Sequence, residues 1–193
     1  MMTIERIIQK SFDDHIQMID SAKETLTMSI HSIGQLLAHS LSHEGTLFWC
    51  GNGGSASDSQ HLAAELVGRF KKNRRALRSI ALTTDSSVLT CVANDFSYED
   101  VFSRQIEALG RSGDVLICIS TSGNSENVLR ALRVAKEMGL MTIVLLGKDG
   151  GLAKDLADKA LVIPSDSTAR IQEGHILVGH ILCEVIEQEL QLA

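Results

Sequence analysis

The chain is poor in the residues that break or staple a fold. Pro164 is the single proline among 193 residues, and there is no low-complexity tract, linker or internal repeat. One domain over residues 1–193, with a sizeable core, is therefore expected. The cysteines, Cys50, Cys91, Cys118 and Cys183, lack the paired spacing of a thiolate metal site. Three sit in apolar surroundings, as small core residues do, and nothing about them points to disulfides. No apolar run is long enough to span a bilayer, and the opening Met-Met-Thr-Ile-Glu-Arg soon turns charged and amphipathic, unlike a signal peptide. A cytoplasmic protein with no membrane partner is the expectation. Basic residues are not in excess either. Eighteen against 24 acidic ones give a net charge of −6, which argues against wholesale nucleic-acid binding. Six of the 18 fall between Arg69 and Arg78. Most of them read as a solvated connection, with Arg69 the best candidate to face an anion.

What the chain does have is two loops of small residues, Gly51-Asn-Gly-Gly-Ser-Ala-Ser-Asp58 and Ser120-Thr-Ser-Gly-Asn-Ser125. Each follows an apolar run (Thr46–Cys50 and Asp114–Ile119) and precedes a helical pattern. A strand turning through small residues into a helix aims backbone N–H groups, hydroxyls and the positive helix end at one point, which suits a phosphate. Neither loop matches the dinucleotide fingerprint or the P-loop, because one lacks a helix-opening third glycine and the other a Gly-Lys pair. Ordinary capped turns use the same residues. Two such loops in the same context favour a hydroxyl-lined cradle for a small phosphorylated ligand.

The first 45 residues read as two helices, with apolar stripes at Ile4, Ile7, Ile8, Phe12, Ile16 and Ile19 and at Leu26, Ile30, Ile33, Leu36, Leu37 and Leu41. After Gly45, strands are expected at 46–50, 79–83, 114–119, 141–146 and 159–163. Helices are expected at about 57–70, 86–93, 99–109, 125–138, 151–157 and 170–191. Unbroken apolar strands such as Val115–Ile119 belong in a parallel sheet covered on both faces. The alternation predicts a three-layer αβα sandwich around a five-stranded parallel sheet, preceded by a helical pair in residues 1–44 that serves oligomerisation.

His61 and Glu65 lie at i, i+4 on the helix after the first loop, hence on one face. Such a pair can share a divalent ion or act as acid and base, although an isolated pair is more often just a solvated face. The last helix opens Arg170-Ile-Gln-Glu-Gly-His-Ile-Leu-Val-Gly-His180. In so apolar a segment Gln172, His175 and His180 must be buried with partners, sit at an interface or be functional. A satisfied core histidine suits His175 better than His180. Gln172 and His180 are separated by roughly 12 Å along an ideal axis. A single ion shared by both needs long converging side chains, a distortion at Gly174 or Gly179, or ligands from two subunits.

As a set, Cys50-Gly-Asn-Gly-Gly-Ser, Gln60-His61 with Glu65, Ala93-Asn-Asp95, Gly113-Asp-Val, Ile119-Ser-Thr-Ser-Gly-Asn-Ser125, Gly147-Lys-Asp-Gly-Gly151 and Arg170-Ile-Gln-Glu…His180 resemble the sugar-isomerase (SIS) family, with its flavodoxin-like fold. More narrowly they resemble its phosphoheptose isomerase branch. The resemblance covers nearly the whole chain. It implies conversion of sedoheptulose 7-phosphate to D-glycero-D-manno-heptose 7-phosphate, at the start of bacterial heptose synthesis for lipopolysaccharide, by a cytoplasmic homotetramer. It also implies one zinc per subunit at His61, Glu65, Gln172 and His180. The implied substrate contacts are Asn52, Gly53, Gly54, Glu65, Asn94, Asp95, Ser120, Thr121, Ser122, Ser125 and Gln172. One departure is visible: after Arg69-Phe70, family members usually carry prolines where this chain reads Lys-Lys-Asn-Arg-Arg-Ala-Leu-Arg.

The chemistry agrees with the resemblance. Moving a proton between C1 and C2 through a cis-enediol needs a base beside the carbons, a second group to shuttle hydroxyl protons and an electrophile for the oxyanion. Glu65 suits the first role and His180 the second, while zinc could polarise the oxygens. A glutamate firmly bound to zinc is a poorer base, so the two roles given to Glu65 compete. The alternative from another class is a non-catalytic SIS adaptor for the bacterial replication initiator, which keeps both loops but lacks the full acidic and histidine set. Other SIS enzymes, acting on amino-sugar or muramic acid phosphates, lack the His–Glu…Gln–His pattern.

Overall fold

The computed structural model describes residues 2–192. In chain order the elements are α1 (Ile4–Ser42), β1 (Leu47–Gly51), α2 (Gly54–Val67), β2 (Ser79–Ala81), α3 (Ser86–Asp95), a short 3-10 turn (Tyr98–Asp100), α4 (Ser103–Leu109), β3 (Val115–Ser120), α5 (Glu126–Glu137), β4 (Met141–Leu146), α6 (Gly151–Leu156), β5 (Lys159–Val162) and α7 (Thr168–Glu189). All strand pairs are parallel, in the order β2-β1-β3-β4-β5. Because β1 and β3 are buried at every position, their side chains must satisfy two apolar layers at once. Trp49, Ile117, Ile119, Ile143 and Leu145 point to a core closed by α1, α2 and α7. Phe48, Cys50, Leu116, Cys118, Val144 and Leu146 point to a second core closed by α3 to α6. The three layers follow from this period-two alternation. Cys50, Cys118 and Cys183 are buried and Cys91 is exposed.

The amino-terminal pair is in fact one helix of 39 residues. Ile19 and Leu26 stand seven residues, two turns, apart, so the second stripe continues the first on the same face. Nothing from Asp20 to Thr25 breaks a helix. The stripe nevertheless has two fates. Leu26, Ile30, Ile33, Leu37 and Leu41 are core, whereas Ile4, Ile7, Ile8, Phe12 and Ile16 are more than half exposed. The second half of α1 therefore belongs to the domain body.

The glycines of α7 do not distort it, and the helix runs unbroken from Thr168 to Glu189. Gly179 instead lets α2 approach. A β-carbon there would lie 2.5 Å from a Leu62 methyl. That close crossing carries His180 to His61, the neighbour of Leu62.

His175, on the inner face of α7, is fully buried, and its Nε2 lies 2.9 Å from the Leu146 carbonyl. Its Nδ1 has no partner. Burial pushes its pKa from 6.5 down to about 4, so the native state holds the ring neutral. The unfolded chain takes up the proton below its ordinary pKa. Stability is thus complete above pH 6.5 and falls toward pH 4, by about 1.4 kcal/mol per unit. Urea unfolding at pH 7 and pH 5 should show this slope, and His175→Gln should flatten it. An identical slope in the variant would contradict the assignment.

Candidate active site

In this strand order the chain leaves β1 toward β2 and leaves β3 toward β4, which opens a crevice beyond their carboxyl ends. Both glycine–serine loops lie there. A small cavity of about 80 Å³ between them is lined by Asn52, Ser55, Ile119, Ser120, Thr121, Ser122, Ser125 and Gln172. That is room for a few waters or an anionic head group. The Ser125 hydroxyl makes no capping bond to α5, so it and the free N–H groups of the first turn are available to an anion. The loop is pinned from behind. Ser120 Oγ accepts from Gly123 N at 3.1 Å, Ser122 Oγ from Asn124 N at 3.3 Å, and Asn124 Oδ1 from Leu152 N at 3.0 Å. Gly123 has φ +65°, and a β-carbon on it would lie 1.9 Å from the Gly150 carbonyl oxygen. Only glycine fits that crossing.

On the facing loop Gly53 has φ +56°, and a β-carbon on Gly54 would strike Gln172 Nε2 at 2.5 Å. The side chain of Asn52, in the cavity lining, is held in place by protein partners. It exchanges amide hydrogen bonds with Asn127, both at 2.9 Å, and its Oδ1 also accepts from the Tyr98 hydroxyl at 2.9 Å. Asn127 and Tyr98 had no local signal beyond a polar residue opening an apolar helix face. Ser55, within the first glycine–serine loop, also lines the cavity. Asn94 and Asp95 end α3, exposed, with Asn94 Nδ2 donating to Asp95 Oδ1 at 2.7 Å. They do not line the small cavity.

One turn further along α2, His61 and Glu65 meet His180. The two Nε2 atoms are 2.9 Å apart, and Glu65 Oε1 is 3.4 Å from His61 Nε2. Their donor atoms all lie within 4.8 Å of one another. Two imidazoles and a carboxylate so close make a donor set of the kind zinc takes, with metal–ligand distances of roughly 2.0–2.2 Å. One chain brings the three together, without a second subunit. Gln172, from the first turns of α7, packs against Gly54 and lines the small cavity. Asp58, one turn before His61, was missed. Its Oδ2 is buried without a hydrogen-bond partner, and burial pushes its carboxyl up against the opposing pull of His61 and His180. Arg69 is exposed beyond the end of α2. A larger cavity of about 450 Å³ opens at the other end of the sheet, beside Val115 and Met141, far from every candidate.

Fold and cradle define the class, a parallel-sheet protein of the SIS type. The model of the SIS domain matches residues 12–147. A phosphoheptose isomerase of Helicobacter pylori (strain P12) is 53% identical over 185 residues, 96% of each chain. The solved phosphoheptose isomerase of Neisseria gonorrhoeae superposes with a TM-score of 0.92 at 41% identity, covering 96% of this chain and 100% of that one. The enzyme from Francisella tularensis gives 0.94 at 35%, covering 97% and 100%. The chain belongs to the phosphoheptose isomerase family.

Proposed function

We propose that the chain is an aldose–ketose isomerase that converts sedoheptulose 7-phosphate into D-glycero-D-manno-heptose 7-phosphate. The observation that carries this reading is the convergence of Glu65, His61 and His180 on the helix that begins in the first loop of the phosphate crevice. The Ser120–Ser125 loop and the start of α5 hold the terminal phosphate, which fixes the far end of an extended seven-carbon chain. Glu65, half-buried on the last full turn of α2, takes the C1 proton and returns it to C2. His180 moves the hydroxyl proton between the two oxygens, its ring held by stacking on Phe70 with centroids 5.5 Å apart.

His61, Glu65 and His180 are the residues that would hold a zinc ion, with Gln172 the candidate fourth ligand. When bound, the metal supplies a Lewis acid for the carbonyl and hydroxyl oxygens. Incubating the purified chain with sedoheptulose 7-phosphate, alongside elemental analysis, tests activity and metal together. Absence of an aldose product would reject the reading.

Ser125→Ala and Ser122→Ala should mainly raise KM, each by about 1–2 kcal/mol, for a lost hydrogen bond to a charged group. Sedoheptulose without its phosphate should bind far more weakly and be indifferent to both substitutions. Equal sensitivity with and without the phosphate would make the loop purely structural.

The working form is a cytoplasmic homotetramer. The apolar stripe from Ile4 to Ile16, more than half exposed in the single chain, needs a cover in water. Sedimentation should give four copies for the wild type and a smaller species for Phe12→Glu with Ile8→Glu. An unchanged assembly in that variant would remove the stripe from the interface.

A further inference from the structure

One arginine of the basic run is not solvated. The side chain of Arg74 is 2% exposed and that of its partner Glu187, on α7, 1%. Arg74 Nε donates to Glu187 Oε1 at 2.9 Å. Its Nη1 reaches the carbonyls of Leu66 at 2.7 Å, Gly68 at 3.2 Å and Arg75 at 3.0 Å, and its Nη2 reaches that of Glu65 at 2.8 Å. The last carbonyls of a helix have no partner within it, and a cation there also meets the negative end of the helix dipole. Arg74 therefore closes the carboxyl end of α2 at the turn that carries Glu65. Glu187 accepts in addition from the backbone N–H of Phe70 at 3.2 Å and of Lys71 at 3.3 Å. Phe70 is the residue whose ring stacks on His180, at an interplanar angle of 25°. Glu187 itself lies two turns beyond His180 on α7.

One buried ion pair thus ties together the last turn of α2, the loop that presents Phe70 and the helix that presents His180. A buried pair of this kind adds little net stability compared with apolar residues of the same volume. Its planar fork, however, fixes several carbonyls at set angles, as an ammonium or an apolar side chain cannot. We propose that Arg74 and Glu187 are positioning residues that hold Glu65 and His180 in one frame for proton transfer, an inference that rests on the isomerase reading above. The contribution is to geometry at the reacting carbons. The phosphate is bound from the β3–α5 side and should feel it little.

The test is the split between kcat and KM in Arg74→Lys, assayed well below the melting temperatures of both proteins. The expected result is a fall in kcat of at least about tenfold with KM within about threefold. Wild-type kcat, or a loss confined to KM, would overturn the proposal. If Arg74→Lys does not fold, Glu187→Gln decides. It removes the charge from the pair at nearly constant shape and should lower kcat several-fold with KM within about threefold, and wild-type kcat in it overturns the proposal. Glu65→Gln is the control. Full turnover in Glu65→Gln takes down both the isomerase reading and this inference, whereas an inactive Glu65→Gln beside a fully active Arg74→Lys takes down the inference alone.

Discussion

Glu65→Gln should lower kcat by about a thousandfold or more while substrate affinity stays within about tenfold. The amide keeps the shape and polarity of the carboxylate but cannot accept a C–H proton, and a positioned general base contributes about 10²–10⁴ in rate. Glu65 is suited to the role by its place. Its backbone is anchored by Arg74 at 2.8 Å, and its carboxylate faces the imidazoles of His61 and His180. Metal content should be measured on the same preparation, because the carboxylate is also a candidate ligand. Wild-type turnover would rule Glu65 out as the base. Activity restored by added zinc would make its role metal binding alone.

His180→Gln should cost about 10²–10³ in kcat, the size of a lost acid–base partner. With Nε2 atoms 2.9 Å apart, the two rings either share a proton or face a common cation, since two protonated nitrogens would not approach so closely. If the cation is the occupant, metal affinity should fall together with activity. Full activity with unchanged metal content would reduce His180 to a packing residue against Phe70.

Much of this was legible in the sequence because it is written locally. A loop of glycines and serines between an apolar run and a helix carries its own geometry, and i, i+4 spacing places His61 and Glu65 on one face without reference to the rest of the chain. The convergence with His180 was legible only as a suspicion. Bringing a residue 119 positions away to 2.9 Å depends on Gly179 admitting Leu62, which no periodicity reveals. Arg74 was hidden for a similar reason. In a run of lysines and arginines it reads as one more solvated charge, and its carboxylate partner is 113 residues further on. The amino-terminal helix misled in a different way. Its apolar positions fall into two groups, one ending at Ile19 and one starting at Leu26, with a mostly polar stretch between them, although Ile19 and Leu26 are in phase. Asn127 and Tyr98 escaped because asparagine near a helix start and tyrosine in a loop are ordinary surface choices, and only the fold brings them to Asn52.

The central claim is that Glu65 moves a proton between two adjacent carbons. It is tested most directly by running the reaction on sedoheptulose 7-phosphate in deuterium oxide and reading C1 and C2 by NMR. A base that exchanges with solvent puts deuterium on C2 of the aldose 7-phosphate and on C1 of recovered ketose, and Glu65→Gln should abolish both. Label entering C1 or C2 at the wild-type rate in Glu65→Gln would contradict the account.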